Sequence, residues 1–61
     1  MFNQIAKEIA RKLGQAGVQA QVITNRDGSI CVDAECDVTA RDVLGMDRFR
    51  DYYNDVEVTI I

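Results

Sequence analysis

Histidine, proline and tryptophan are absent from these 61 residues, and serine occurs once, at Ser29. Without histidine, and with that serine in a tight turn with no base nearby in sequence, the chain shows no paired nucleophile and base. Paired-carboxylate chemistry needs two acids held in different environments inside a cleft, and the small open sheet inferred below offers none. The expectation is a protein that is not an enzyme and carries no cofactor. A classical zinc centre lacks its ligands, since there is neither His nor a Cys-x-x-Cys pair. The two cysteines, Cys31 and Cys36, fall five residues apart in one extended run. They point to opposite faces with Cα atoms about 16 Å apart, too far for a disulfide. Free thiols suit a reducing compartment, and one of the two is expected in the core.

No basic start followed by an apolar run opens the chain, and no stretch approaches membrane-spanning length. Low-complexity segments and linkers are also missing. The expectation is one complete cytoplasmic domain spanning residues 1–61, near the lower size limit for a chain that folds alone. Chains this small often recruit a second subunit, so self-association stays open.

The charge that is present is unevenly laid out. Net charge is −3. Residues 1–26 hold Lys7, Arg11, Lys12 and Arg26 against Glu8, a balance of +3. Residues 27–61 hold nine acids against Arg41, Arg48 and Arg50, a balance of −6. Such polarity speaks of partners rather than of fold.

The stretch Gln19–Asp37 reads as a β-hairpin turning at Asn25-Arg26-Asp27-Gly28. A type I turn closed by a left-handed Gly28 leaves a three-residue loop. Asn25 then faces Ser29, Thr24 faces Ile30, Val22 faces Val32 and Ala20 faces Ala34. A loop one residue shorter or longer would put Val22 and Val32 on opposite faces, because side chains alternate with period two. The odd loop alone yields one apolar face and one polar, acidic face.

Before the hairpin, Ile5, Ile9 and Leu13 recur every four residues, predicting an amphipathic helix over about 4–16. Asn3 is its expected N-cap and Gly17 its left-handed terminator. After the hairpin, Thr39 with Asp42 resembles a capping box, followed by a helical turn over 40–44. Gly45 interrupts, and Phe49 and Tyr53 restart a helical period over about 47–53. On that second piece Asp47, Asp51 and Asp55 form a stripe nearly opposite the core side. Val56, Val58 and Ile60 then alternate as a final strand.

These pieces assemble as a small α+β domain, helix-strand-strand-helix-strand. The expected sheet is three-stranded and antiparallel, in order 2-1-3, with the helices on one face and the final strand at an edge. Ala20, Val22, Ile30, Val32, Ala34, Val56, Val58 and Ile60 would meet Ile5, Ile9, Leu13, Leu44, Phe49 and Tyr53 in the core. The uncovered face would carry Gln19, Gln21, Ile23, Cys31, Asp33, Glu35, Glu57 and Thr59.

Asp33, Glu35 and Asp37 stand in a row at roughly 7 Å intervals, but a row of outward carboxylates does not converge on a metal ion. Direct nucleic-acid binding wants a basic footprint with stacking aromatics; Lys7, Arg11 and Lys12 are all helix one offers. Protein binding remains. Asp33, Glu35, Asp37, Asp42, Asp47, Asp51, Asp55 and Glu57 would steer a basic partner, with Tyr52 as an amphipathic anchor. The expected function is that of a small acidic protein-binding module docking on a basic, nucleic-acid-binding protein. In class it is similar to phage-encoded inhibitors of the anti-restriction and anti-CRISPR kinds, which implies, by analogy and not by motif, carboxylates set where DNA phosphates bind. The alternative is an assembly module that forms homo-oligomers, such as a homodimer, through an unguarded C-terminal edge strand. No membrane is implied.

Overall fold

The recurrence of Ile5, Ile9 and Leu13 winds up as helix α1, Gln4–Gln15, in the computed structural model, which describes residues 4–61. The expected cap Asn3 lies outside the described residues. Ile9 and Leu13 are fully buried, and Ile5 and Ala6 pack beside them. The helix stops where the sequence says it should. Gly17 adopts φ +77°, Val18 N–H donates to Leu13 O at 2.9 Å and Gly17 N–H to Gly14 O at 3.1 Å. Those two bonds are the Schellman closure, which satisfies carbonyls the helix leaves open.

The hairpin has the expected register. Strand β1, Ala20–Thr24, pairs antiparallel with β2, Ile30–Ala34, matching Val22 to Val32 and Thr24 to Ile30. The turn closes through Gly28 N–H to Asn25 O at 3.0 Å, with Asn25 N–H donating to Ser29 O at 2.8 Å. Gly28 holds φ +91°, the left-handed geometry that puts three residues in the loop.

Helix α2, Asp37–Leu44, begins three residues before the expected start. Cys36 holds the N-cap position, so Thr39 lies inside the first turn rather than capping it; its Oγ1 sits 3.1 Å from Cys36 Sγ. The acidic Asp37 in that turn suits the positive end of the helix dipole. α2 ends as α1 does: Gly45 takes φ +70°, Met46 N–H donates to Arg41 O and Gly45 N–H to Asp42 O, each at 3.1 Å. Met46, the residue after the left-handed glycine, is buried.

The expected helical piece over 47–53 does not form. Arg50–Tyr53 is instead strand β3, joined to β4, Val56–Ile60, by the turn at Asn54 and Asp55. Both turn residues hold positive φ, +49° and +66°. That is the two-residue type I′ geometry whose twist matches a hairpin, and Asn and Asp tolerate it best after glycine. Four residues whose exposure alternates, two of them tyrosines, form a pleated edge rather than a helix of barely two turns.

The sheet therefore has four strands in the order β1-β2-β4-β3, not three in the order 2-1-3. β4 runs parallel to β2, with Ile30 beside Val58 and Val32 beside Ile60. β3 runs antiparallel to β4. The chain leaves β2, forms α2, lays β3 at the far edge, and returns through β4 into the gap. The C-terminal strand is thus an inner strand, and the edges are β1 and β3.

The core lies between one sheet face and the two helices. Ile9, Leu13, Ile30, Val32, Ala40, Leu44, Met46, Val58 and Ile60 are buried there. Tyr53, Val22, Ala34 and Val56 are partly buried against them. Two expected core members are not inside. Ala20 is exposed on the edge strand, and Phe49 is 37% exposed with the Arg41 guanidinium 5.0 Å from its ring centre. Neither thiol is in the core: Cys31 is half-buried on the uncovered face and Cys36 is exposed. No described helix is long and apolar enough to cross a membrane.

Candidate protein-binding face

Strand alternation decides which side chains reach the uncovered face. On β1 these are Gln21 and Ile23, and on β2 Cys31 and Asp33. On β4 they are Glu57 and Thr59, and on β3 Arg50 and Tyr52. One row across the sheet reads Ile23, Cys31, Thr59, Arg50. Beyond β4, Ile61 continues the alternation onto the same face, its N–H donating to Val32 O at 2.9 Å.

This face exposes apolar bulk. Ile23 is 45%, Ile61 61% and Tyr52 67% exposed. Tyr52 is directly opposite Glu57, and Arg50 reaches diagonally to Glu57 at 3.5 Å. The arginine side chain is 71% exposed, so this pair is screened by water and adds little to stability.

The two hairpin tips meet at the same end of the sheet, because β2 and β4 are parallel and both start there. Between them lies a hollow of about 290 Å³, lined by Asp27, Ser29, Tyr52, Asp55 and Glu57 among others. Asp27 is engaged within its own turn. Its Oδ1 accepts from the Ser29 hydroxyl at 2.6 Å and from Ser29 N–H at 2.9 Å. Those bonds hold its carboxyl below the ordinary aspartate range. Asp55 is the second of the two left-handed turn residues and is exposed.

The remaining acids are elsewhere. Glu35 and Asp37 are exposed where β2 leads into α2, and Asp37 Oδ1 accepts from Val38 N–H at 2.7 Å. Asp42 is on α2, 3.4 Å from Arg41. Asp33, Glu35 and Asp37 do not converge: no group of three Cys, Asp or Glu among the described residues is placed to hold a metal ion. The Asp47-Asp51-Asp55 stripe required a helix and is lost with it. Asp47 sits in the loop before β3, and Asp55 is at the opposite end of that strand. Asp51 points toward the helix side, opposite the buried Val58. Its carboxylate accepts from Tyr52 N–H at 2.8 Å and from Asp47 N–H at 3.3 Å. These bonds keep its pKa low, Tyr52 contributing most. Asp51 therefore pins the loop that enters β3.

On the helix side of the molecule, Lys12 Nζ stands 5.2 Å from the Tyr53 ring centre, and hydrogen bonding to Tyr53 raises its pKa. Asn54 Nδ2 donates to Glu8 at 3.4 Å. Both contacts tie the β3–β4 tip to α1.

Sequence reasoning brought Asp33, Glu57, Ile23, Cys31 and Thr59 to this face. It missed Asp27, Arg50 and Ile61, and it put Tyr52 on a helix. The signal that finds Arg50 and Tyr52 is the Asn-Asp pair at 54–55, a two-residue turn that fixes the parity of residues 50–53. Comparison with protein-family models, with curated proteins and with solved structures yields no match to this chain.

Proposed function

We propose that this chain is a non-enzymatic protein-binding module whose uncovered sheet face docks on a basic partner. The partner class that fits best is a nucleic-acid-binding protein, which the module would inhibit by occupying a cleft built for phosphates. One observation carries the reading: exposed Tyr52, Ile23 and Ile61 share a sheet face with Asp33 and Glu57, and Asp27 and Asp55 gather beside Tyr52 and Glu57 where the two hairpins end. Apolar anchors beside a group of carboxylates, with Arg50 already paired to Glu57, let an interface combine affinity with electrostatic steering. The basic residues Lys7, Arg11 and Lys12 belong to α1, on the covered side. The cations of α1 therefore lie on the other side of the sheet from the docking face.

The test is affinity capture from the native host lysate at low salt, repeated with competing duplex DNA. The proposed function expects one basic protein to be retained by the wild-type chain, released by added duplex, and lost with rising salt. An Asp33→Lys/Asp55→Lys/Glu57→Lys variant changes exposed or half-exposed residues and should keep its circular dichroism spectrum while losing capture. Undiminished capture by that variant, or retention indifferent to duplex, refutes the phosphate-site reading.

A further inference from the structure

We propose that β1 is the seam of a homodimer, in which two copies of this chain join edge to edge into one eight-stranded sheet. The inference does not rest on the acids of the uncovered face, to which β1 contributes only Gln21 and Ile23. Backbone geometry comes first. Asn25 and Gln19 bond to β2 through Asn25 N–H to Ser29 O and Glu35 N–H to Gln19 O. In an antiparallel pair the bonding alternates, so Gln21 and Ile23 also face β2. The N–H and C=O groups of Ala20, Val22 and Thr24 then point outward from the sheet, where no strand among the described residues pairs with them.

Such a row is a template for another strand unless something blocks it. β1 has no blocking device. Its five residues, Ala-Gln-Val-Ile-Thr, contain no charge, no proline and no bulge against β2. The other edge, β3, is one residue shorter and carries Arg50 and Asp51. Association through the C-terminal strand is closed off, since β4 is held between β2 and β3.

The occupant that fits is a second β1. A two-fold axis through Val22 sets Val22 against Val22 of the other copy, and Ala20 against Thr24 in both directions. All three pairs are of the bonded kind, so every outward N–H and C=O of the strand finds a partner. Between them Gln21 falls opposite Ile23 on the uncovered face, and one step further Asn25 falls opposite Gln19. No charged side chain meets another along the seam, although the chain as a whole carries −3. Val22, partly buried now, becomes flanked by its copy, which extends a small core.

Sedimentation of the full chain over a wide concentration range, with residue-resolved amide exchange at both ends of that range, tests this. The expected result is a doubling of sedimenting mass with concentration. Exchange at Ala20, Val22 and Thr24 should slow together, on the order of tenfold or more, while Gln21 and Ile23 stay protected throughout. A Gln21→Lys/Ile23→Lys variant changes two exposed side chains and places lysine opposite lysine twice. It should keep the circular dichroism spectrum and sediment as a monomer. A wild-type monomer at every concentration overturns the proposal. Association without slowed exchange at those three amides, or association that survives in the lysine variant, overturns it equally.

Discussion

Replacing glycine by alanine at positions 14 and 17, three residues apart, should change stability in opposite directions. Gly14 is the penultimate residue of α1, lacks the positive φ of the other glycines, and has no heavy atom within 4 Å of where a Cβ would sit. Glycine in a helix costs roughly 0.5–1 kcal/mol relative to alanine, because more backbone freedom is lost on folding. Gly14→Ala should therefore stabilise by about 0.5–1 kcal/mol. In a domain of this size that moves the thermal midpoint by roughly 2–8 °C upward. Gly17 has equally open surroundings, but its φ of +77° lies in the left-handed region. An L-residue there costs about 1–2 kcal/mol, offset by roughly 0.4–1 kcal/mol from a stiffer unfolded chain. Gly17→Ala should lose on the order of 0.5–1 kcal/mol. The strain is conformational rather than steric, so Gly17→Asn should lose less than Gly17→Ala. Thermal and urea denaturation of the four proteins, followed by circular dichroism, reads all of this. A drop in midpoint for Gly14→Ala would refute the extension of α1 to Gln15. Equal midpoints for wild type and Gly17→Ala would refute the Schellman closure.

Two further outcomes follow from β3 and its loop. Tyr53→Ala should cost about 2 kcal/mol, roughly half the loss for a fully buried aromatic, because Tyr53 is partly buried against the core. Tyr52→Ala and Phe49→Ala should each stay within about 0.5–1 kcal/mol, since both side chains are exposed; a Phe49 loss equal to that of Tyr53 would restore the helical reading. Asp51 titrates below the ordinary aspartate range because it accepts backbone N–H bonds from Tyr52 and Asp47, so its stabilisation is full above the unfolded pKa and fades as pH falls through the folded one. The Asp51→Asn protein should be less stable than wild type at neutral pH, and the gap should narrow as pH drops below about 3.9; denaturation midpoints that run parallel down to pH 2 would contradict this.

The first half of the chain was legible because its signals are local. A four-residue recurrence, a glycine after the helix and an odd-length loop each act within a few residues, and each leaves one geometry. α1, the β1–β2 register and the apolar face of that hairpin follow from them. The second half was not legible in the same way. Phe49 and Tyr53 lie four apart, and so do Asp47, Asp51 and Asp55, which imitates a helix. What overrides that period is the Asn54-Asp55 turn together with β4, whose partner β2 is more than twenty residues away and parallel to it. The start of α2 failed for a smaller reason. Thr39 followed by Asp42 has the capping pattern, but the cap position falls to Cys36 and Asp37 supplies the first-turn charge.

That override also remakes the candidate site. Nine acids in the second half of a sequence need not share a surface, and here Asp33 stands alone on the uncovered face of β2 while the other eight separate into three groups. Asp47 and Asp51 serve the loop before β3; Glu35, Asp37 and Asp42 surround α2; Asp27, Asp55 and Glu57 gather where two hairpins end. The last group owes its existence to the parallel pairing of β2 with β4, which puts both tips at one end of the sheet. Tyr52 joins it through parity alone. With two residues in the turn, Tyr52 is opposite Glu57 and faces outward while Tyr53 faces the core. One more residue in that turn would exchange the two tyrosines between faces, and the acids at the tips would lose the aromatic beside them. The anchor and the charge thus depend on one turn of two residues, both held at positive φ without a glycine. A left-handed L-residue costs free energy wherever it occurs, and here the sheet on one side and the α1 contacts of Tyr53 and Asn54 on the other hold it in place.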